Sequence, residues 1–189
     1  MPAPLLSKEE VLDRLMRTFR EHGYDGASLA ELSAATGLGK SSLYHYFPGG
    51  KVDMAKQVLE HLEAALEKAM FEPLRSNKTP EKKLSAMLDT LSAFYDGGRL
   101  ACLLERLCAS VDRRSFRRPL AKMFDKWMRA VEGLALEAGL PKTVARSRAE
   151  DLVVRIEGAL IVATGAGDTK VFARTIADLR TSVLACPRT

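Results

Sequence analysis

Residues 28–51 constrain the fold of this chain more than any other stretch. Ser28 and Glu31 form a capping-box pattern, in which the hydroxyl accepts from a backbone N–H and the carboxylate reaches back to the cap. Apolar residues then recur at helical spacing until Gly37, which suits a left-handed helix end. A second short helix is predicted over residues 40–47, ended by Pro-Gly-Gly. Two short helices joined by a tight glycine turn make a helix-turn-helix.

The second helix of this pair has an unusual polar surface. Leu43 and Phe47 are four residues apart and share one apolar face, which predicts that both are core residues. The other positions carry hydrogen-bond donors and aromatic rings, and no acidic residue lies between Glu31 and Lys51. A phosphate-lined DNA groove requires such an acid-free surface. The residues that we expect at the DNA are Ser28, Lys40, Ser41, Ser42, Tyr44, His45, Tyr46 and Lys51.

The charged and aromatic members of this set have different expected roles. Lys40 and Lys51 should contact phosphates, so binding should weaken as salt rises. Tyr44 and Tyr46 should bond to phosphate oxygens or pack on sugars, and one of them can touch a thymine methyl. For His45, a phosphate donor, a wedge and an exposed histidine without a role all remain open.

The serines of this set are expected at two kinds of contact. Ser41 and Ser42 should face base edges. Ser28 can cap its helix and also donate a hydrogen bond to a phosphate.

The segment TGLGKSSLYHYFPGGK, residues 36–51, is similar to the DNA-binding segment of TetR-type transcriptional regulators. That segment has a Gly, two residues, a Lys and two small residues before Leu-Tyr-His-Tyr-Phe. Gly39 departs from it where the family often has a Ser cap, which should weaken the helix start only slightly. Ser41 departs where a Gly is common, so a further side chain lies near the DNA and the base preference is not predictable.

The resemblance extends into the rest of the chain. The Pro-Gly-Gly before Lys51 resembles the LmrA/YxaF-like branch, as do GRLACLLERLCAS at residues 98–110 and RIEGALIVATGAGD at 155–168. The resemblance implies a repressor in which the part after the helix-turn-helix, residues 52–189 (the body), binds an effector. The similarity is specific in residues 1–51 (the head) and looser in the body.

Composition and motifs exclude several other classes of protein. The 189 residues carry a formal net charge of +5, but residues 1–51 hold six basic and six acidic residues and are neutral overall. The DNA affinity of residues 1–51 must therefore come from the positions of their charges and not from their net charge. Three cysteines and three histidines form no ligand pattern, which predicts no disulfide, metal site or cofactor. We find no catalytic motif and expect no enzyme. No leader and no apolar run of about 18 residues is present, so we expect a soluble cytoplasmic protein.

The whole chain reads as all-α, with a DNA-binding domain over residues 1–51 and a ligand-binding and dimerisation domain over 52–189. Ser7 and Glu10 form a second capping-box pattern, which predicts the start of the first helix. The first three helices resemble a homeodomain-like bundle, with an expected core of Leu12, Leu15, Phe19, Leu29, Leu32, Leu43 and Phe47. One amphipathic helix is predicted over 51–71, as a lever between head and body. A linker is expected at 72–78, followed by helices at 80–95, 100–111, 120–138 and 141–163 and a last helix capped by Asp168. A basic loop is expected at 112–119, and it contains Arg113, Arg114, Arg117 and Arg118. That loop is either a solvated surface or a site for DNA or an anionic ligand.

The second half of the helix at 141–163 is apolar on nearly all sides, so it should be buried on two sides. We expect a homodimer through the last two helices, with close approach at Gly158, Ala159, Ala163 and Gly165. A fully intramolecular core is the alternative reading.

Bulky, soft and aromatic residues of the body suit either an ordinary core or a cavity for an apolar or aromatic effector. The expected ligand-binding set is Met87, Leu91, Phe94, Tyr95, Met123 and Trp127. The sequence therefore predicts a ligand-responsive repressor that binds a palindromic operator as a dimer and has no membrane partner. A helical ligand-binding or scaffold protein without DNA binding, and a constitutive DNA-binding protein without an effector, are the alternatives.

Overall fold

The computed structural model describes residues 6–186, and over these residues it contains helices and no strand. The all-α prediction is confirmed. The helices are α1 (Lys8–Gly26), α2 (Leu29–Thr36), α3 (Lys40–Tyr46), α4 (Gly50–Leu66), α5 (Pro80–Phe94), α6 (Leu103–Cys108), α7 (Arg113–Glu137), α8 (Lys142–Ala166) and α9 (Lys170–Ser182). A π-helical turn, Glu67–Phe71, and a 3-10 turn, Glu72–Arg75, follow α4, and a 3-10 turn, Asp96–Gly98, follows α5.

The chain forms two compact units. The first comprises the residues up to Ala64 together with Leu103–Leu120, and the second comprises Ala65–Cys102 with the residues from Ala121 onward. The unit that contains the helix-turn-helix is therefore larger than the predicted domain of residues 1–51. Helices α4 and α7 each contain residues of both units.

Both predicted capping boxes form. The hydroxyl of Ser7 accepts from the Glu10 N–H at 3.2 Å, and the carboxylate of Glu10 accepts from the Ser7 N–H at 2.8 Å. Ser28 and Glu31 make the same two bonds, at 3.2 and 2.7 Å. Each box satisfies two N–H groups that a helix start leaves without an intrahelical partner, so both helices begin where the sequence predicts.

The core of the first unit consists of the apolar residues expected from helical spacing. Fully buried members are Leu15, Phe19, Leu32, Leu43 and Phe47. Leu29, expected in the same core, is half-buried. Helix α6 packs on α1, so this segment joins the unit although it lies far along the chain.

The structure corrects the prediction of a basic loop at 112–119. Helix α7 begins at Arg113 and continues through Pro119. A proline inside a helix removes one backbone hydrogen bond and is costly. Phe116 and Leu120 lie four residues apart and are both buried, so their packing holds the helical conformation across the proline.

The predicted helix at 51–71 is also modified. It becomes π-helical from Glu67 and then 3-10, so the expected linker at 72–78 begins with ordered turns.

Asp168 accepts a hydrogen bond from the Lys170 N–H at 2.9 Å, close to its predicted capping role, although the cap position of α9 is Thr169.

Helix α8 divides its apolar residues between the interior and the surface. Ala159 and Ala163 are buried within the chain, so they cannot take part directly in the close approach expected of them. Val154 and Ile161 are exposed by 69% and 53%.

Within residues 6–186, no helix has both the length and the apolar character to span a membrane.

All three cysteines lie in the described part of the chain, and they form no disulfide there. Cys102 is buried, accepts a hydrogen bond from the hydroxyl of Tyr95 and donates one to a carboxylate oxygen of Glu157, both at 3.3 Å. Cys108 in the first unit and Cys186 in the second are exposed.

Candidate nucleic-acid interface

The turn between α2 and α3 is fixed by a buried hydroxyl. Thr36 donates to the Leu32 carbonyl at 2.8 Å and accepts from the Leu38 N–H at 3.3 Å. Gly37 follows with φ +69°, a left-handed conformation that suits a residue without a side chain. The end of α2 and the start of α3 are thereby held at a defined angle.

Two buried side chains orient α3. Leu43 and Phe47 have no exposed surface, so the opposite side of this helix must face solvent. Five of the expected DNA-contacting residues are exposed on α3, namely Lys40, Ser41, Ser42, Tyr44 and His45. Tyr46 is half-buried, and its ring lies 6.3 Å from that of Phe47. The exposed surface of α3 carries no acidic side chain.

Ser28 is exposed at the start of α2. Its hydroxyl oxygen accepts the Glu31 N–H, which leaves the hydroxyl hydrogen available to a phosphate. The hydrogen bond from the Ser28 N–H keeps the pKa of the Glu31 carboxyl below its usual range. The cap therefore holds Ser28 in place without consuming its donor.

Lys51 occupies a different environment from Lys40. Its ammonium donates to the backbone carbonyl of Asp25 at 3.4 Å and lies 4.7 Å from the centroid of the Tyr24 ring. Burial lowers the pKa of Lys51. Lys40 is exposed, whereas Lys51 is half-buried and packs on its own unit, so Lys40 is the more accessible of the two cations.

Tyr24 links the end of α1 to the segment before α7. Its hydroxyl donates to a carboxylate oxygen of Asp112 at 3.1 Å, and its ring lies 5.0 Å from that of Phe116. Burial raises the pKa of Tyr24 above its ordinary value. The Asp25 carboxylate accepts from the Val111 N–H at 3.0 Å. Sequence reasoning missed these contacts because 86 to 88 positions separate the partners and no local pattern marks them.

Most of the expected ligand-binding residues are buried in the second unit. Phe94 is half-buried, and its ring lies 5.0 Å from that of Tyr95. Trp127 is only 4% exposed, and its indole N–H has no hydrogen-bond partner within residues 6–186. The buried members are Met87, Leu91, Tyr95, Met123 and Trp127.

A groove of about 450 Å³ lies elsewhere in the second unit. It is lined by Phe71, Leu74, Arg75, Lys126, Arg129, Ala130, Gly133, Leu134 and Glu137. The Glu67 carboxylate accepts hydrogen bonds from Lys126 and Arg75, which lower the pKa of this carboxyl. None of the six expected ligand-binding residues lines this groove, so their role stays a prediction.

Two family profiles match this chain. The profile described as "Bacterial regulatory proteins, tetR family" matches residues 11–58, and "Transcriptional regulator LmrA/YxaF-like, C-terminal domain" matches residues 107–178. The HTH-type transcriptional regulator LmrA of Bacillus subtilis (strain 168) is 23% identical over 160 residues. These cover 82% of this chain and 85% of LmrA.

Solved structures share the fold. A TetR transcriptional regulator from Legionella pneumophila aligns with a TM-score of 0.83 at 17% identity, covering 94% of this chain and 97% of that one. The TetR family transcriptional regulator CifR, as a cysteine mutant complexed with 26bp double-strand operator DNA, aligns with a TM-score of 0.72 at 19% identity. That alignment covers 96% of this chain and all of the other.

The profile matches begin in α1 and end in α9, and the B. subtilis relative aligns over most of its length. Fold and sequence therefore point to the same group of proteins, whose members are regulators and not enzymes. We conclude that this chain belongs to the TetR family of DNA-binding transcriptional regulators, in its LmrA/YxaF-like branch.

Proposed function

We propose that this protein is a repressor that binds a palindromic operator as a homodimer and leaves it when a small apolar or aromatic effector binds. The exposed, acid-free surface of α3 carries the DNA-binding part of this proposal. Lys40 and Tyr44 offer donors to phosphates, and Ser41 and Ser42 offer donors and acceptors to base edges. The CifR structure supports the proposal, because it is described as a complex with operator DNA. Operator DNA as partner implies a cytoplasmic location.

The proposed dimer uses residues of α8 and α9 that are exposed or, at Gly158, half-buried. Val154, Gly158, Ile161 and Gly165 recur at helical spacing along α8, and a Cβ atom added at either glycine would meet nothing within 4 Å. Small residues on the neighbouring α9, Ala173 and Ala177, are also exposed. A second copy of the same two helices would bury this surface around a two-fold axis.

The proposed effector site is the buried region around Trp127. A buried indole N–H without an acceptor is costly, and the hydroxyl or carbonyl oxygen of a bound ligand would satisfy it. Helix α7 contains Trp127 and also residues of the first unit, so it connects this region covalently to that unit. Release of DNA requires the effector to bind the released conformation more tightly than the DNA-bound one.

The DNA-binding proposal is tested by selecting bound sequences from a random duplex library. We expect an inverted repeat whose half-sites lie about 34–36 Å apart. Lys40→Ala should weaken binding to all sequences similarly and lower the salt slope by about one, because it removes one phosphate contact. Lys82→Ala, an exposed lysine of α5, is the control of equal charge. Failure to enrich any sequence would contradict the function itself.

Ser28→Asp separates the two roles of Ser28. Aspartate is as good an N-cap as serine, so the melting temperature should stay nearly constant. The added negative charge should repel a phosphate, and operator affinity should fall at least tenfold. Thr79→Asp introduces the same charge at the cap position of α5 and should leave affinity unchanged. Equal affinities of the two variants would show that no phosphate lies near Ser28.

Ile161→Lys tests the dimer surface. The wild type should sediment at twice the chain mass of 20.8 kDa. Ile161→Lys should sediment as a folded monomer, because the site is exposed in the chain and a buried unpaired charge would oppose dimerisation. Leu136→Lys places the same charge at an exposed leucine of α7, and this variant should remain dimeric. A monomeric wild type at micromolar concentration would refute the assembly.

Titration with 1-naphthol tests the effector site, since Trp127 is the only tryptophan in the chain. Trp127 emission should change over the same concentration range in which operator affinity falls, by about 5- to 150-fold for a typical coupling. Trp127→Phe keeps a ring but removes the N–H, so more 1-naphthol should be needed to release DNA. Altered emission without any change in operator affinity would show binding without a switch.

A further inference from the structure

We propose that the first two turns of α7 form a second DNA-contacting surface, which binds backbone phosphates beside those contacted by the helix-turn-helix. This surface, the arginine face, consists of Arg113, Arg114, Arg117 and Arg118. The proposal rests on the DNA binding proposed above and enlarges its footprint.

The four arginines are spaced to share one side of α7. Arg113 and Arg117 lie four residues apart on one face of α7, Arg114 and Arg118 lie four apart on the adjacent face, and all four side chains are exposed. Within residues 6–186, none of them forms an ion pair with an acidic side chain. Arg113 with Arg117, and Arg114 with Arg118, are like-charged pairs four residues apart, which disfavour the helix.

The position of the arginine face at a helix start adds to this cost. The first turn of α7 contains no acidic residue, and cations near a helix N-terminus oppose the macrodipole. Asp112, directly before α7, supplies a single carboxylate against the four guanidinium groups, and it also accepts a hydrogen bond from the hydroxyl of Tyr24. The fold needs Phe116 and Leu120 here, which are buried, and it makes no use of the four charges.

An external polyanion would reverse each of these unfavourable terms. Phosphate is attracted both by the N–H groups at a helix start and by guanidinium groups, which can bind it through two parallel hydrogen bonds. The array of four arginines over two turns matches a ligand with several phosphates in a row better than a single anion. Duplex DNA, which this family binds, is such a ligand.

Contacts within the first unit place the arginine face near the predicted phosphate contacts. Tyr24 lies between Lys51, whose ammonium is over its ring, and Asp112, which accepts its hydroxyl. Asp25 bonds to the Val111 N–H and precedes Ser28 by only three residues. The residues directly after Asp112 are Arg113 and Arg114. The start of α7 therefore contacts the end of α1, which Lys51 also contacts and which Ser28 follows directly in the sequence.

The charge of the first unit supports the same conclusion. Over its residues, up to Ala64 and Leu103–Leu120, the unit holds 12 basic and 11 acidic residues. Without the arginine face it would hold eight basic and 11 acidic residues, and it would be net negative. A unit that approaches DNA needs basic residues to neutralise phosphates, and these four arginines reverse its sign.

The test replaces all four arginines by glutamine and measures binding to the selected operator at the centre of a 40-base-pair duplex. We expect at least a tenfold loss of affinity at low salt and a salt slope smaller by two or more, at about 0.9 per phosphate lost. Hydroxyl-radical footprinting should show lost protection at backbone positions, while the selected base sequence stays the same, because phosphate contacts carry no base information.

A matched control removes the same charge from the second unit through Lys68→Gln, Lys78→Gln, Lys82→Gln and Lys142→Gln, all at exposed positions. It should keep the wild-type slope and footprint. Equal losses of affinity in the two variants would overturn the proposal, because net charge alone would then explain them. An arginine variant that binds the operator as tightly as wild type would also overturn it. Arg117→Gln with Arg118→Gln provides a milder variant, for which the slope should fall by about one, and an unchanged slope would also refute the proposal.

These outcomes are distinct from failure of the proposed function. If wild type and control bind the operator and the arginine variant does so equally well, only the arginine face is refuted. If wild type enriches no sequence and binds the 40-base-pair duplex no better than an unrelated one, operator recognition itself fails.

Discussion

The burial of Leu43 and Phe47 decides which surface of α3 the protein shows to its surroundings. A helix of seven residues has little stability of its own, so its existence and its orientation depend on packing against α2 and the core of the first unit. Because these two side chains lie in the core, Lys40, Ser41, Ser42 and Tyr44 on the other side of α3 are exposed to solvent. The buried Thr36 hydroxyl and the left-handed Gly37 then hold the angle at which this surface is presented.

Sequence reasoning succeeded where structure is determined by nearby residues. The two capping boxes, the end of α2 at Gly37 and the buried positions of α3 follow from patterns within four or five residues, and all are present. It failed where distant segments meet. The start of α7 contains Pro119 and four arginines, which reads as a loop, but the burial of Phe116 against Tyr24 favours a helix there. No local pattern reports a contact made across more than 80 positions.

The same limit applies to the candidate site. The exposed residues of α3 were identifiable because their neighbours on the opposite side are apolar. The environment of Lys51 was not, since it depends on Tyr24 and Asp25 at the end of α1. The interior of the second unit is harder still. In the sequence, an apolar side chain that fills a core looks the same as one that lines a ligand site. The absence of a hydrogen-bond partner for the Trp127 N–H among residues 6–186 is a feature that only the structure reveals.

The distribution of the three cysteines has a practical consequence. Cys102 is buried and hydrogen-bonded between Tyr95 and Glu157, so thiol reagents in solution should reach it slowly. Cys108 and Cys186 are exposed and belong to different units. The wild-type chain thus offers one attachment point for a spin label or a fluorophore in each unit. Distances between such labels could follow the two units relative to each other in solution without any engineered substitution.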